Sequence, residues 1–192
     1  PLAVLRTQLQ SAQRGDVAPA QALQEMSGTV ERATLLANQM LALAKVEQLR
    51  QQGDMAIVDW AGVVKAVALD LAPLIAQAHL DFDIELQPSP VRAHEWSLRE
   101  LTRNLLHNAI KHSAAHGRLD VSLAVAGPRA TLRIADSGPG ITAELRRRLF
   151  QPFASGDPRS GSGLGLAICQ EIVGTLDGEI RQIAVTELRE NT

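Results

Sequence analysis

Three short segments carry residue types that could do chemistry. The first is Leu98-Arg99-Glu100-Leu101-Thr102-Arg103-Asn104-Leu105-Leu106-His107-Asn108-Ala109-Ile110-Lys111-His112. Asn104, Asn108, Lys111 and His112 fall on one helical face, while Leu101, Leu105 and Ile110 can serve a core. An amide oxygen is a hard ligand that Mg²⁺ accepts, and an ammonium is a point charge for phosphate. The face therefore suits a polyphosphate with its metal; taken alone it is equally a solvated polar face. The second segment is Asp136-Ser137-Gly138-Pro139-Gly140-Ile141, directly after an alternating, strand-like stretch. Its glycines allow a tight turn and close approach of a ligand to the backbone. A carboxylate at a strand end can accept from an amino group such as the adenine 6-amine, although an ordinary acidic turn has the same composition. The third is Gly161-Ser162-Gly163-Leu164-Gly165-Leu166, which leads into a helical pattern. Glycine-rich backbone at a helix N-terminus cradles phosphate, or is simply a flexible linker. Its glycine spacing is not that of the dinucleotide fingerprint, and no Gly-Lys-Ser/Thr follows to make a P-loop.

These segments need elements to position them. Leu2, Leu5, Leu9 and Ala12 mark a helix over residues 2–12, and Gly15, Asp16 and Pro19 interrupt it. Leu23, Met26, Val30, Ala33, Ala37, Met40 and Ala44, widened by Leu36 and Leu43, form a heptad-like seam that ends near Gln52-Gly53. The two helices make a hairpin whose wide apolar face calls for a second copy, as half of a dimeric four-helix bundle. Packing of both helices on the rest of the chain is the alternative. Further on, the patterns predict helices at 60–78, 97–113, 142–149 and 164–176, and strands at 80–86, 118–126, 130–135 and 179–185. Pro88 and Pro90 mark a loop, and residues 154–163 read as a mobile one. The fold class is α+β: a helical hairpin, then an α/β sandwich with helices on one face of a mixed sheet.

Composition narrows the function classes. The 192 residues carry a net charge of −2, with 3% aromatics and no Tyr, which argues against a nucleic-acid partner. Cys169 is the single cysteine, so no internal disulfide forms; its apolar surroundings predict a buried thiol. No uninterrupted run reaches the roughly 18 apolar residues of a membrane span. The chain opens with Pro1, so membrane attachment is expected only through segments upstream of it.

Taken together, the segments resemble the nucleotide boxes of bacterial sensor histidine kinases. The asparagine helix resembles the N box, Asp136 to Gly140 the G1 box, Phe150-Gln151-Pro152-Phe153 the F box, and Gly161 to Leu166 the G2 box. The hairpin resembles the family's dimerisation and phosphotransfer domain. The resemblance implies residues 1–52 as that domain and 53–192 as a catalytic domain with a Bergerat ATP-binding fold. It implies ATP and Mg²⁺ as cofactors, a homodimer through the hairpin, a response regulator receiver domain as partner, and the cytoplasmic portion of an inner-membrane sensor as the location.

Position by position, Asn108 resembles the Mg²⁺ ligand, and Asn104 and Lys111 resemble phosphate contacts. His112 stands where an aromatic residue often meets the adenine or ribose. Asp136 resembles the adenine-reading carboxylate, followed by Ile141 beside the turn. Gly138, Gly140, Gly161, Gly163 and Gly165, with Ser162, Leu164 and Leu166, resemble the frame of the pocket and lid. Phe150 and Phe153 are expected to anchor the lid by packing, and Arg159 in the lid could reach a phosphate. Hydrolases sharing this pocket carry a glutamate at the position of Asn104, and an amide is a poor general base. None of the five histidines (His79, His94, His107, His112, His116) lies on the first helix. The family's phosphate-accepting histidine is thus expected upstream of Pro1. The family follows Asp177-Gly178-Glu179-Ile180 with a strand, a glycine-containing turn and a final strand; here Gln182-Ile183-Ala184-Val185 runs into a charged tail, Glu187 to Thr192, so one edge strand is expected to be missing. Two other readings remain: an anti-sigma-like or hydrolytic ATPase with the same pocket, and a non-catalytic dimerisation or docking module.

Overall fold

The structure, a computed structural model, describes residues 2–154 and 162–181. Helices α1 (Leu2–Arg14) and α2 (Pro19–Gln52) form the hairpin. Pro19 supplies the preset φ that a first helical turn accepts, and Gly53 closes α2 in the left-handed conformation at φ 64°. Thr29 of α2 is buried and donates to Gln8 Oε1 of α1 at 3.2 Å.

The hairpin divides in its packing. Helix α1 buries no residue, and Leu2, Leu23 and Val30 stay exposed, with Leu23 at 66%. The C-terminal half of α2 instead joins the main core through Ala42 and Val46, with Leu36 and Leu43 packed against it. The alternative packing on the rest of the chain therefore holds for that half of α2.

Beyond Gly53 the order is β1 (Ala56–Asp59), α3 (Trp60–Gln77), β2 (Asp81–Leu86), β3 (Pro90–Ala93), α4 (Glu95–His112), β4 (Arg118–Ala126), β5 (Arg129–Asp136), α5 (Ala143–Arg146) and α6 (Gly165–Thr175). β2 pairs parallel with β4, which pairs antiparallel with β5, so the three-stranded sheet is mixed as expected. Leu119, Val121 and Leu123 alternate onto its buried face. There they share one core with Val64 and Val67 of α3, Leu98 and Leu106 of α4, and Ile168 and Ile172 of α6. Helices on one face of a mixed sheet is the α+β arrangement that the pattern implied.

Several elements differ from the sequence expectation. β1 and β3 form a separate antiparallel pair where only a proline loop was expected. Each has four residues, too few for alternation to register, and Pro90 is tolerated because it opens its strand. The helix expected over 142–149 is helical only at Ala143–Arg146. The last strand is not formed at Glu179–Arg181, and the rest of that segment lies outside the described residues. Helix α3 has 18 residues and mean hydropathy 1.3, enough in length and composition to cross a membrane. Val64 and Val67 are nevertheless fully buried against the rest of the fold, which marks it as a core helix.

A buried hydrogen bond anchors α4, the helix that carries the polar face. Trp60 Nε1 donates to Thr102 Oγ1 at 3.1 Å inside the core. Asp59 caps α3, accepting from the N–H groups of Ala61 and Gly62, and also from that of Ser89 at 3.2 Å. One carboxylate thus fixes both the start of α3 and the turn before β3. Replacing Asp59 by Ala is expected to lower the unfolding free energy by about 1–2 kcal/mol, while Asp59→Asn keeps most of it. Urea unfolding of the two variants measures the difference.

Candidate nucleotide site

Helix α4 has two faces. Leu98, Leu101, Leu106, Ala109 and Ile110 are buried, whereas Asn104, Asn108, Lys111 and His112 look into an open cleft. Against the C-terminal end of α4 lies the turn after β5. Asp136 Oδ1 accepts from Gly138 N–H at 2.9 Å, which leaves the second carboxylate oxygen for another donor. Gly138 has no room for a side chain: a Cβ there would come within 2.6 Å of both Asp136 Oδ1 and the His112 carbonyl oxygen. Ser137 ties the turn to β4 by accepting from Arg118 N–H at 2.9 Å. The turn is thereby wedged between the end of α4 and the sheet, with Gly140 and Ile141 on the cleft wall.

The third side is the N-terminus of α6. Like those of any helix, its first N–H groups lack intrahelical partners and carry the positive end of the helix dipole, and no side chain caps them. A Cβ on Gly165 would lie 3.0 Å from Asn104 Oδ1, so α6 begins directly against the α4 amide. Gly163, at φ 69°, packs on the Phe153–Ala154 backbone, where a Cβ would approach within 2.8–2.9 Å; Phe153 N–H donates to the Gly163 carbonyl at 3.1 Å. Ser162 Oγ accepts from Leu164 N–H at 3.1 Å and donates to Gln39 Oε1 of α2.

Thirteen of the expected residues line this cleft: Asn104, Asn108, Lys111, His112, Asp136, Gly138, Gly140, Ile141, Phe150, Ser162, Gly163, Gly165 and Leu166. Leu164 does not; its side chain is turned into the core at 1% exposure, leaving only its backbone near the site. Phe153 does not anchor by packing: its ring is 61% exposed, and it meets Gly163 through its backbone in a left-handed conformation. Arg159 and Gly161 lie outside the described residues.

The sequence patterns did not point to Glu100 or to the α2 residues of the cleft. Glu100 lines the cleft and accepts from the Asn104 amide. Its position one turn before Asn104 on the same face could have revealed it. Asn38, Gln39 and Lys45 of α2 also line the cleft, and Lys45 Nζ sits 4.5 Å from the Trp96 ring centre. Nothing in the sequence marks contacts so distant along the chain. With α2 as a wall the cavity reaches ≈ 2160 Å³. That exceeds the roughly 300–1,000 Å³ of a typical ligand pocket, so it is an open cleft that a nucleotide fills only in part.

Electrostatics agree with a neutral imidazole at the cleft. Burial, then the Lys111 charge, lowers the pKa of His112, opposed by Asp136. Burial also lowers that of His107, helped by Lys111, Arg103 and His112. Cys169 is fully buried in α6, and burial pushes its thiol far above its ordinary value, so it is a core residue.

A cleft built from an amide-bearing helix, a strand-end aspartate turn and an uncapped glycine-rich helix start defines an ATP-binding fold of the Bergerat type. The model of the family described as histidine kinase-, DNA gyrase B-, and HSP90-like ATPase matches residues 93–191, and the chain belongs to that family. Among curated relatives, the sensor protein QseC of Escherichia coli (strain K12) is 31% identical over 179 residues, covering 90% of this chain and 39% of its own length. The sensor protein kinase PmrB of Pseudomonas aeruginosa is 33% identical over 183 residues, covering 90% of this chain and 37% of its own length. The chain thus spans well under half of these relatives. Among solved structures, the Acinetobacter baumannii histidine kinase AdeS superposes with TM-score 0.77 at 28% identity, covering 96% of this chain and 89% of that one. The mycobacterial sensor histidine kinase MprB gives TM-score 0.61 at 32% identity, over 67% of this chain and 84% of that one.

The two histidines give a pH dependence of known sign. Their folded pKa values lie below the ordinary 6.5, so the unfolded chain binds protons more readily in that window. Their contribution to stability is present above pH 6.5 and is lost as pH falls through 6.5 toward the lowered values. Melting midpoints are expected to drop between about pH 7.5 and about pH 5.5, and the His107→Gln/His112→Gln variant should show a smaller drop.

Proposed function

We propose that this chain is the ATP-binding catalytic region of a sensor histidine kinase, transferring the ATP γ-phosphate to a histidine that this chain does not contain. The observation that supports it most is the facing of α4 and α6: Gly165 opens an uncapped helix 3.0 Å, measured from a Cβ position, from Asn104 Oδ1. Phosphates laid there meet backbone N–H groups on one side and the Lys111 ammonium on the other. Across the cleft, the free oxygen of Asp136 accepts from the adenine amino group, and His112, neutral by burial, packs beside the base or ribose.

The donor set fits Mg²⁺. No group of three His, Cys, Asp or Glu residues gathers among the described residues, so a hard cation here draws on amide oxygen, phosphate and water. Asn108 is the residue assigned to hold it, and when bound it neutralises charge on the phosphates. The protein's own part is to position and desolvate. In the transfer, the bond from the γ-phosphorus to the bridging oxygen breaks, an imidazole nitrogen forms the new bond, and the ring proton leaves. Onward relay to a response regulator aspartate, and a place on the cytoplasmic side of a membrane sensor, belong to the same proposal.

Residues 1–52 act as the dimerisation hairpin and 53–192 as the catalytic domain. The exposed Leu2, Leu9, Leu23 and Val30 support pairing with a second copy. No histidine lies on α1 or α2, so the chain does not phosphorylate itself. Incubation with labelled ATP and Mg²⁺ is expected to leave no acid-labile phosphohistidine on it. Asp136→Asn should weaken binding of ATP by about tenfold and reduce the preference for adenine over guanine nucleotides. Labelled phosphohistidine on this chain, or unchanged adenine preference in the variant, contradicts the assignment.

A further inference from the structure

We propose that Glu100 is a positioning residue for the site, fixing the Asn104 amide so that its carbonyl oxygen, and not its N–H₂, faces the start of α6. The inference rests on the nucleotide reading above. Asn104 Nδ2 donates to the Glu100 carbonyl at 2.9 Å and to Glu100 Oε1 at 2.8 Å. Both amide protons are therefore taken up by one residue. Turning the amide over would set Oδ1 against two acceptors, so the orientation is determined. Oδ1 is left pointing toward Gly165, where a Cβ would lie 3.0 Å away.

The neighbouring charges favour this use of Glu100. Arg99 and Arg103, on the same helix, turn to Asp70 at 2.6 and 3.4 Å. They leave the Glu100 carboxylate to the amide. An amide so held presents an acceptor to the ligand. It suits a cation or a metal-bound water, and it opposes a bare phosphate oxygen. Asn104 thus acts on the metal side of a metal–nucleotide ligand, whereas Lys111 and the α6 N–H groups take the phosphates. The carboxylate absent from position 104 reappears one helical turn earlier, with a structural duty.

Calorimetric titration with the non-hydrolysable analogue AMPPNP, in Mg²⁺ and in EDTA, separates the possibilities. Glu100→Ala is expected to weaken binding in Mg²⁺ by about tenfold and in EDTA by less than about twofold. Glu100→Gln, whose Oε1 still accepts from the amide, should stay within about threefold of the parent. In an Asn104→Ala background Glu100→Ala should add less than about twofold, because it acts through that amide. In ¹⁵N spectra of the ligand-free chain, the Asn104 side-chain amide pair should shift further in Glu100→Ala than in Glu100→Gln. Equal weakening with and without Mg²⁺, an undiminished effect without Asn104, or native affinity in Glu100→Ala overturns the inference while leaving the nucleotide site intact. Failure of the parent chain to bind AMPPNP overturns the nucleotide reading itself, and this role with it.

Discussion

Helix α6 starts directly against the α4 amide: residue 165 has no side chain, and a Cβ there would press on Asn104 Oδ1 at 3.0 Å. That close approach decides much of the molecule. Ile168, Cys169 and Ile172 of α6 must then bury in the same core as Leu98, Leu101 and Leu106 of α4. Cys169 lies so near α4 that its sulfur sits 3.9 Å from the Leu101 carbonyl oxygen. The interior holds two helices together along their apolar faces, and the cleft opens where their polar residues meet. Site and core are two sides of one packing arrangement.

The same constraint explains the turn after β5. With α4 fixed by Trp60 and Thr102, the His112 carbonyl occupies the space a side chain at 138 would need. A glycine there lets the strand end approach the helix end, which sets Asp136 across the cleft from α6. Helix α2 completes the enclosure from outside, by the Gln39–Ser162 hydrogen bond, the Lys45–Trp96 contact and an ion pair between Arg50 and Glu171 at 2.9 Å. The Arg50–Glu171 pair is exposed, so it is worth little. The apolar contribution of α2 comes from Ala42 and Val46.

Much of this was legible in the sequence, where local rules act. The α4 polar face followed from helical spacing, strands β4 and β5 from alternation over 118–126 and 130–135, and the α+β class from the order of patterns. What escaped depended on the third dimension. β1 and β3 are too short to show a period. Leu164 and Phe153 sit in recognisable boxes, yet one is turned inward by the start of α6 and the other outward by a left-handed backbone. The wide apolar seam of α2 looked uniform, but part of it is claimed by this chain's own core. Of the site residues, Glu100 carried a signal in its spacing from Asn104, whereas Gln39 carried none.

Everything in the proposed function depends on the α4–α6 cleft binding ATP through its amide face. Calorimetric titration of the chain with an ATP analogue, with and without Mg²⁺, beside an Asn108→Ala variant tests it most directly. Saturable binding that Mg²⁺ strengthens is expected, with a variant that stays folded yet loses that strengthening. Absence of binding by the folded parent chain, or equal Mg²⁺-dependent binding by the variant, would contradict it.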